Sequence, residues 1–122
     1  MPTSFTERNY PFEVILSEAN GSQSREVVTI VSGANLKAGA VLGKITASGK
    51  YNEADQGAAT GIETAVAVLL EDVDASGGDA PGLALVRNAE VKSALLNYKS
   101  GQSGGNQATS RSELAAVGII CR

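Results

Sequence analysis

Apolar and polar positions exchange over short stretches divided by glycine, a pattern of brief strands rather than long helices. The first such stretch is Val14-Ile15-Leu16. It is followed by the turn signal Asn20-Gly21 and by residues 25–31, which are rich in β-branched side chains. The simplest reading is two strands around a turn. Glycine then breaks the chain at Gly33 and Gly39 before Ala40-Val41-Leu42-Gly43-Lys44-Ile45-Thr46, and Ser48-Gly49 predicts a tight return through Lys50-Tyr51. Ile62, Thr64, Val66, Val68 and Leu70 recur at period two, with Glu63 and Glu71 on the opposite face beside small alanines, which predicts a half-buried strand. Residues 74–82 read as a loop and residues 83–86 as another strand. After Asn88, a possible N-cap, Val91, Ala94, Leu95 and Tyr98 fall at helical spacing and predict a short amphipathic helix. Residues 99–109 are polar and Gly/Ser-rich and read as mobile. Ser110-x-x-Glu113 then offers a capping box for a helix running to Val117 and ended by Gly118, ahead of a last core strand over residues 118–122. The class expected is mainly β with short helices.

The aromatic residues are distributed unevenly. Phe5, Tyr10 and Phe12 crowd into the first twelve positions, leaving only Tyr51 and Tyr98 for the rest. That leading segment has no helical or alternating period, and Pro2 and Pro11 resist regular structure. Residues 1–24 are therefore expected to be an N-terminal arm with its first turn, and residues 25–122 a β-rich domain. Twelve extended residues reach roughly 40 Å. Burial of a phenylalanine ring stabilises by about 1.5–3 kcal/mol, and aromatic anchors concentrate binding energy at interfaces. The expected binding residues are accordingly Phe5, Tyr10, Pro11 and Phe12, docking on a partner while the arm's backbone adds to a sheet edge there. The competing reading folds the arm back onto its own aromatic-poor domain.

Composition narrows the chemistry. The 122 residues fit one domain. Ten basic against thirteen acidic residues give a net charge of −3, and between Lys50 and Arg87 every formal charge is negative, which disfavours nucleic acid as a partner. The absence of histidine removes Ser-His-Asp and Cys-His catalysis and histidine-based zinc sites. The lone Cys121 cannot form an intrachain disulfide and reads as a structural thiol. No apolar run approaches the ~18–20 residues of a membrane span, and Met1-Pro2-Thr3-Ser4 does not begin a signal peptide, so a soluble protein made in the cytoplasm is expected. Asp72-x-Asp74-x-Ser76-Gly77 copies half of a calcium loop, but Leu83 stands where the closing acid belongs. Gly43 and Gly49-Lys50 have the wrong spacing for a phosphate loop, and Tyr51 replaces its magnesium-binding hydroxyl residue. The Asn20-Gly21-Ser22 sequon reads as a chance match. Glu53, Asp55, Glu63, Glu71, Asp72 and Asp74 could supply a carboxylate pair for glycoside hydrolysis, but the small domain lacks aromatic sugar platforms. Neither an enzyme nor a cofactor is expected.

Ser32-Gly33 followed by LKAGAVLGKITASGKY, then GIETAVAVLLEDVDASGGD, VRNAEV and the ending GIICR resemble the head decoration protein D family of tailed bacteriophages over residues 25–122. The resemblance implies a small β-clip-like decoration domain with an extended N-terminal arm. It also implies a homotrimer that sits on the outer surface of the expanded virion head and binds the major capsid protein, stabilising the shell against internal DNA pressure. No catalysis, cofactor, nucleic acid or membrane is implied. Leu36, Gly39, Val41, Leu42, Gly43, Ile45, Gly61, Ala65 and Asp72 match as structural positions. Residues 100–106 look like a long insertion, and Cys121 stands where an aliphatic residue is expected. A rival reading is a small β-clip or lipoyl-like binding or carrier module, because LKAGAVLGKI has the rhythm of such folds and Lys50 lies beside the Ser48-Gly49 turn.

Overall fold

The computed structural model describes residues 12–18 and 23–122. Ten strands, one 3-10 turn and one α-helix follow in the order β1 (Ile15–Glu18), β2 (Arg25–Ile30), β3 (Asn35–Leu36), β4 (Val41–Lys44), β5 (Tyr51–Glu53), β6 (Ala65–Leu69), β7 (Val73–Asp74), β8 (Ala80–Leu85), β9 (Ala89–Val91), the 3-10 turn Ser93–Leu95, α1 (Gly104–Ala116) and β10 (Ile119–Cys121). The mainly β class expected from the patterning is the one observed. Five strands close a barrel in the order β2-β5-β4-β6-β8, a three-stranded sheet β1-β9-β10 lies outside it, and β3 and β7 form a small ribbon. No helix among the described residues is long and apolar enough to cross a membrane.

Two cores result. The first gathers Val28, Ile30, Leu36, Leu42, Ala67, Leu69, Val73 and Ala84 in and around the barrel. A five-stranded barrel has a narrow interior, which small and branched side chains fill without a phenylalanine. The second joins Val14, Val41, Val68, Leu70, Leu85, Val91, Leu114 and Ile119, where the outer sheet and α1 cover one flank of the barrel.

This two-layer arrangement corrects four expectations. The first two apolar stretches do not form a hairpin. β1 pairs antiparallel with β9, whereas β2 pairs with β8 and β5. Val14 belongs to the outer core and Ile30 to the barrel core, so the two stretches serve different layers. Asn20 and Gly21 lie outside the described residues. Second, β6 is not half-buried. Ala67 and Leu69 enter the barrel core while Val68 and Leu70 enter the outer one, and a register shift opposite Leu42 and Gly43 brings Ala65 into the outer core as well. The alanines mark a buried face, not an exposed one. Third, the segment after Asn88 through Tyr98 is not an amphipathic helix: Val91 ends a strand, Ala94 and Leu95 lie in the 3-10 turn Ser93–Leu95, and Tyr98 follows it. Asn88 has φ 49°, unlike the extended conformation of an N-cap, and Ala89 and Val91 are buried in a strand between β1 and β10. The i, i+3, i+4 pattern gives way there to ladder pairing on both edges.

Fourth, the C-terminal helix begins well before the expected capping box. Ser103 is its N-cap, with Oγ accepting from the Asn106 N–H at 3.2 Å. Ser110 and Glu113 lie within the helix, where Ser110 is buried and Glu113 Oε1 accepts from Ala65 N–H at 3.0 Å and Gln56 Nε2 at 2.9 Å. Residues 104–109, read as mobile, are therefore helical, and residues 100–106 include its first turn. The helix ends as expected: Gly118 has φ 89°, a conformation open to glycine, and β10 follows directly. The expected loop at 74–82 is also shorter, since Asp74 ends β7 and Ala80 begins β8. The Ser48-Gly49 return is confirmed by the antiparallel pairing of β4 with β5.

Candidate functional site at the root of the arm

Of the four expected binding residues, Phe12 is described; Phe5, Tyr10 and Pro11 lie outside the described residues. Phe12 has φ 65°, a left-handed conformation that costs a bulky residue about 1–3 kcal/mol. Hydrogen bonds hold it there: its N–H donates to Leu70 O at 2.8 Å, and its own carbonyl accepts from Ile15 N–H at 3.1 Å. Its ring stacks on the Arg25 guanidinium, 4.8 Å from ring centroid to Cζ. The Arg25 fork is closed by Glu18, with Nε donating to Oε2 at 2.9 Å and an Nη donating to Oε1 at 2.6 Å. These hydrogen bonds raise the guanidinium above its ordinary value. A planar bidentate pair is rigid, so it gives the ring a fixed platform.

Residues 12–18, grouped by sequence with the arm, thus pack on the domain. Val14 is 1% exposed and β1 is a strand of the outer sheet. The other chain end meets the same sheet, for Glu90 on β9 accepts from Ser17 Oγ at 2.8 Å and from the Arg122 Nε. The Arg122 bond is the main cause holding the Glu90 carboxyl below the usual range. Two apolar side chains on the strands that form this frame face solvent, Leu16 on β1 and Val27 on β2. β1 is the end strand of its sheet, and its outer edge has no strand partner among the described residues. The root therefore combines an edge strand, exposed aliphatic groups and a pinned ring, a combination suited to holding an extended polypeptide against a protein surface.

Sequence reasoning missed Arg25, Glu18, Val27 and Glu90. Only Val27 had a legible signal, because consecutive valines in a strand place one of them on the outward face.

The other motif residues accept main-chain hydrogen bonds, some within turns and some between segments. Asp72 Oδ1 accepts from Ala38 N–H and Asp74 Oδ1 from Ser76 N–H, and no group of metal-ligating side chains occurs among the described residues. Glu63 accepts from Gly61 N–H, Asp55 from Gly57 N–H and Glu71 from Leu83 N–H. Lys50 Nζ lies 2.5 Å from Asp79 Oδ2, which ties it across two turns instead of presenting it freely as a carrier lysine. A cavity of about 280 Å³ beside the start of α1 is lined by Asp55, Gln56, Lys99, Gln102 and Asn106 among others, and no aromatic side chain lines it. Cys121 is half-buried, and its desolvation raises the thiol pKa, the opposite of an activated nucleophile.

Fold and site together define a small, mainly β protein built from a five-stranded barrel, an outer sheet and one helix among the described residues. The family model described as Bacteriophage lambda head decoration protein D matches residues 4–119, nearly the whole chain. The chain belongs to that family of phage head decoration proteins, and its place is the capsid of the virion. No curated protein matched the chain in the comparison made.

Proposed function

We propose that the protein cements the phage head as a homotrimer on the outer surface of the expanded shell, adding contacts between capsomers that resist the pressure of packaged DNA. Its partner is the major capsid protein. The arm carrying Phe5, Tyr10 and Pro11 leaves the domain at Phe12 and grips that partner, while the barrel and outer sheet supply a rigid body. The observation that carries this reading is the family match across residues 4–119, which includes most of the arm as well as the domain. A closed ring of three copies uses heterologous contacts. Once one arm binds, the other two act at raised effective concentration, so the ring dissociates slowly even when each grip is modest.

The test is co-sedimentation with expanded heads, using the full chain beside a variant lacking residues 1–11. Circular dichroism shows whether the shortened chain keeps its fold. The expected result is a folded variant that no longer sediments with heads. Undiminished binding by that variant refutes the arm's role.

A further inference from the structure

Phe12 holds a backbone conformation, φ 65°, that glycine or asparagine adopts at lower cost than phenylalanine. The turn by itself does not call for a ring there, and strain kept at one residue points to a task for its side chain. That side chain is engaged within its own chain: Phe12 is 40% exposed, and its ring lies over the Arg25 guanidinium. Both main-chain groups are engaged as well, the N–H donating to Leu70 O and the carbonyl accepting from Ile15 N–H. Strand addition by a partner therefore finds no free N–H to pair with at residue 12.

These contacts locate residue 12 against both layers of the fold. Leu70 directly follows β6 and its own N–H bonds to Leu83 O on β8, while Arg25 opens β2 and pairs with Leu85. Ile15 begins β1 of the outer sheet. Glu18, the last residue of β1, holds Arg25 from the far side of the connection between β1 and β2. A free arginine samples many rotamers, but a guanidinium gripped by a carboxylate presents a fixed plane to the ring.

We infer that Phe12, Arg25 and Glu18 form an intramolecular clasp that positions the arm, with Phe12 acting as a positioning residue that does not itself touch the shell. Fixing the arm's root removes orientational freedom that each grip would otherwise have to freeze on binding, and such pre-organisation raises affinity without a new contact. The clasp is a property of the isolated protein; its positioning role rests on the capsid reading above.

NMR on the full-length protein tests the clasp. The Arg25 Nε–H, which donates to both Glu18 oxygens at 3.1 and 2.9 Å, should change its chemical shift in Phe12→Leu and recover it in Phe12→Tyr, which keeps a ring. The Leu114 methyl signals of the outer core should stay in place throughout. Co-sedimentation with expanded heads then separates positioning from direct contact. Phe12→Leu and Arg25→Gln should each weaken binding by about threefold to tenfold. The double variant should lose no more than either alone, because both changes open the same clasp. Phe12→Tyr should bind as the parent does. Losses that multiply in the double variant overturn the inference, since Phe12 then meets the shell independently of Arg25. An Arg25 signal identical in the parent and Phe12→Leu overturns it too, as does full binding by both single variants where removal of residues 1–11 abolishes it. Undiminished binding by the chain lacking residues 1–11 overturns the docking reading and the positioning role with it, while the Arg25 measurement, made without the shell, still decides the clasp.

Discussion

Gly43→Ala isolates the cost of a close backbone approach in the barrel. Gly43 is buried on β4, where pairing with β6 shifts register. A Cβ there would lie 2.4 Å from Ile62 Cα, 2.7 Å from Ile62 O and 2.9 Å from Ile62 C, against about 3.4 Å for ordinary contact. All three atoms are main chain, so no rotamer change relieves the overlap; either the 61–63 segment moves by about 1 Å or the β4–β6 ladder opens. Overpacking costs about 1–3 kcal/mol, and a backbone clash belongs in the upper part of that range. The lower unfolded-state entropy of alanine offsets about 0.4–1 kcal/mol, leaving about 2 kcal/mol of destabilisation. For a chain of this size each kcal/mol corresponds to roughly 3–6 °C in Tm, so a fall of about 6–12 °C is expected. Thermal and urea unfolding followed by circular dichroism measure it. Gly77→Ala is the control: its Cβ meets nothing within 4 Å and its φ lies outside the left-handed region. That variant should be neutral or stabilised by up to about 1 kcal/mol. If the two variants unfold within about 0.5 kcal/mol of each other, the steric account is wrong.

Two further outcomes follow from half-buried titratable groups. Burial is the main cause raising the Glu53 carboxyl above its ordinary value, with Lys99 opposing and Asp55 reinforcing the shift. The folded protein therefore holds a proton that the unfolded chain releases, and stability should fall as pH rises from the ordinary glutamate value through the raised one. Glu53→Gln should raise the urea midpoint at pH 7; because Glu90 is shifted the opposite way, the Glu53 contribution is read as the parent-minus-variant difference in midpoint, and a difference that does not fall across the window contradicts the assignment. The desolvated Cys121 thiol should react with iodoacetamide at pH 8 more slowly in the native protein than in urea, with mass spectrometry reporting the ratio, and equal rates would show that the fold does not shield it.

The patterning by itself determined that the chain is mainly β, that a hairpin turns at Ser48-Gly49, that Gly118 stops a helix and that the chain closes on a strand. Each depends on a local cause: alternation of side chains, a turn sequence or a residue free to adopt positive φ. The crowding of Phe5, Tyr10 and Phe12 at one end was equally plain. Tertiary structure decided what local pattern leaves open. Val68 and Ala67 look like the two faces of a half-buried strand until both faces find a core. Ala89 and Val91 carry helical spacing and strand spacing at once, and pairing on both edges selects the strand. Ser110 and Glu113 spell a capping box, yet inside the helix they accept from Gln56 Nε2 and the Ala65 N–H, more than forty residues away. The platform at the arm's root is of the same kind, because Arg25, braced by Glu18, and Leu70 meet Phe12 only where the outer sheet lies on the barrel. Spacing along a chain records which face a side chain takes; what waits on that face is set by segments the spacing does not mention.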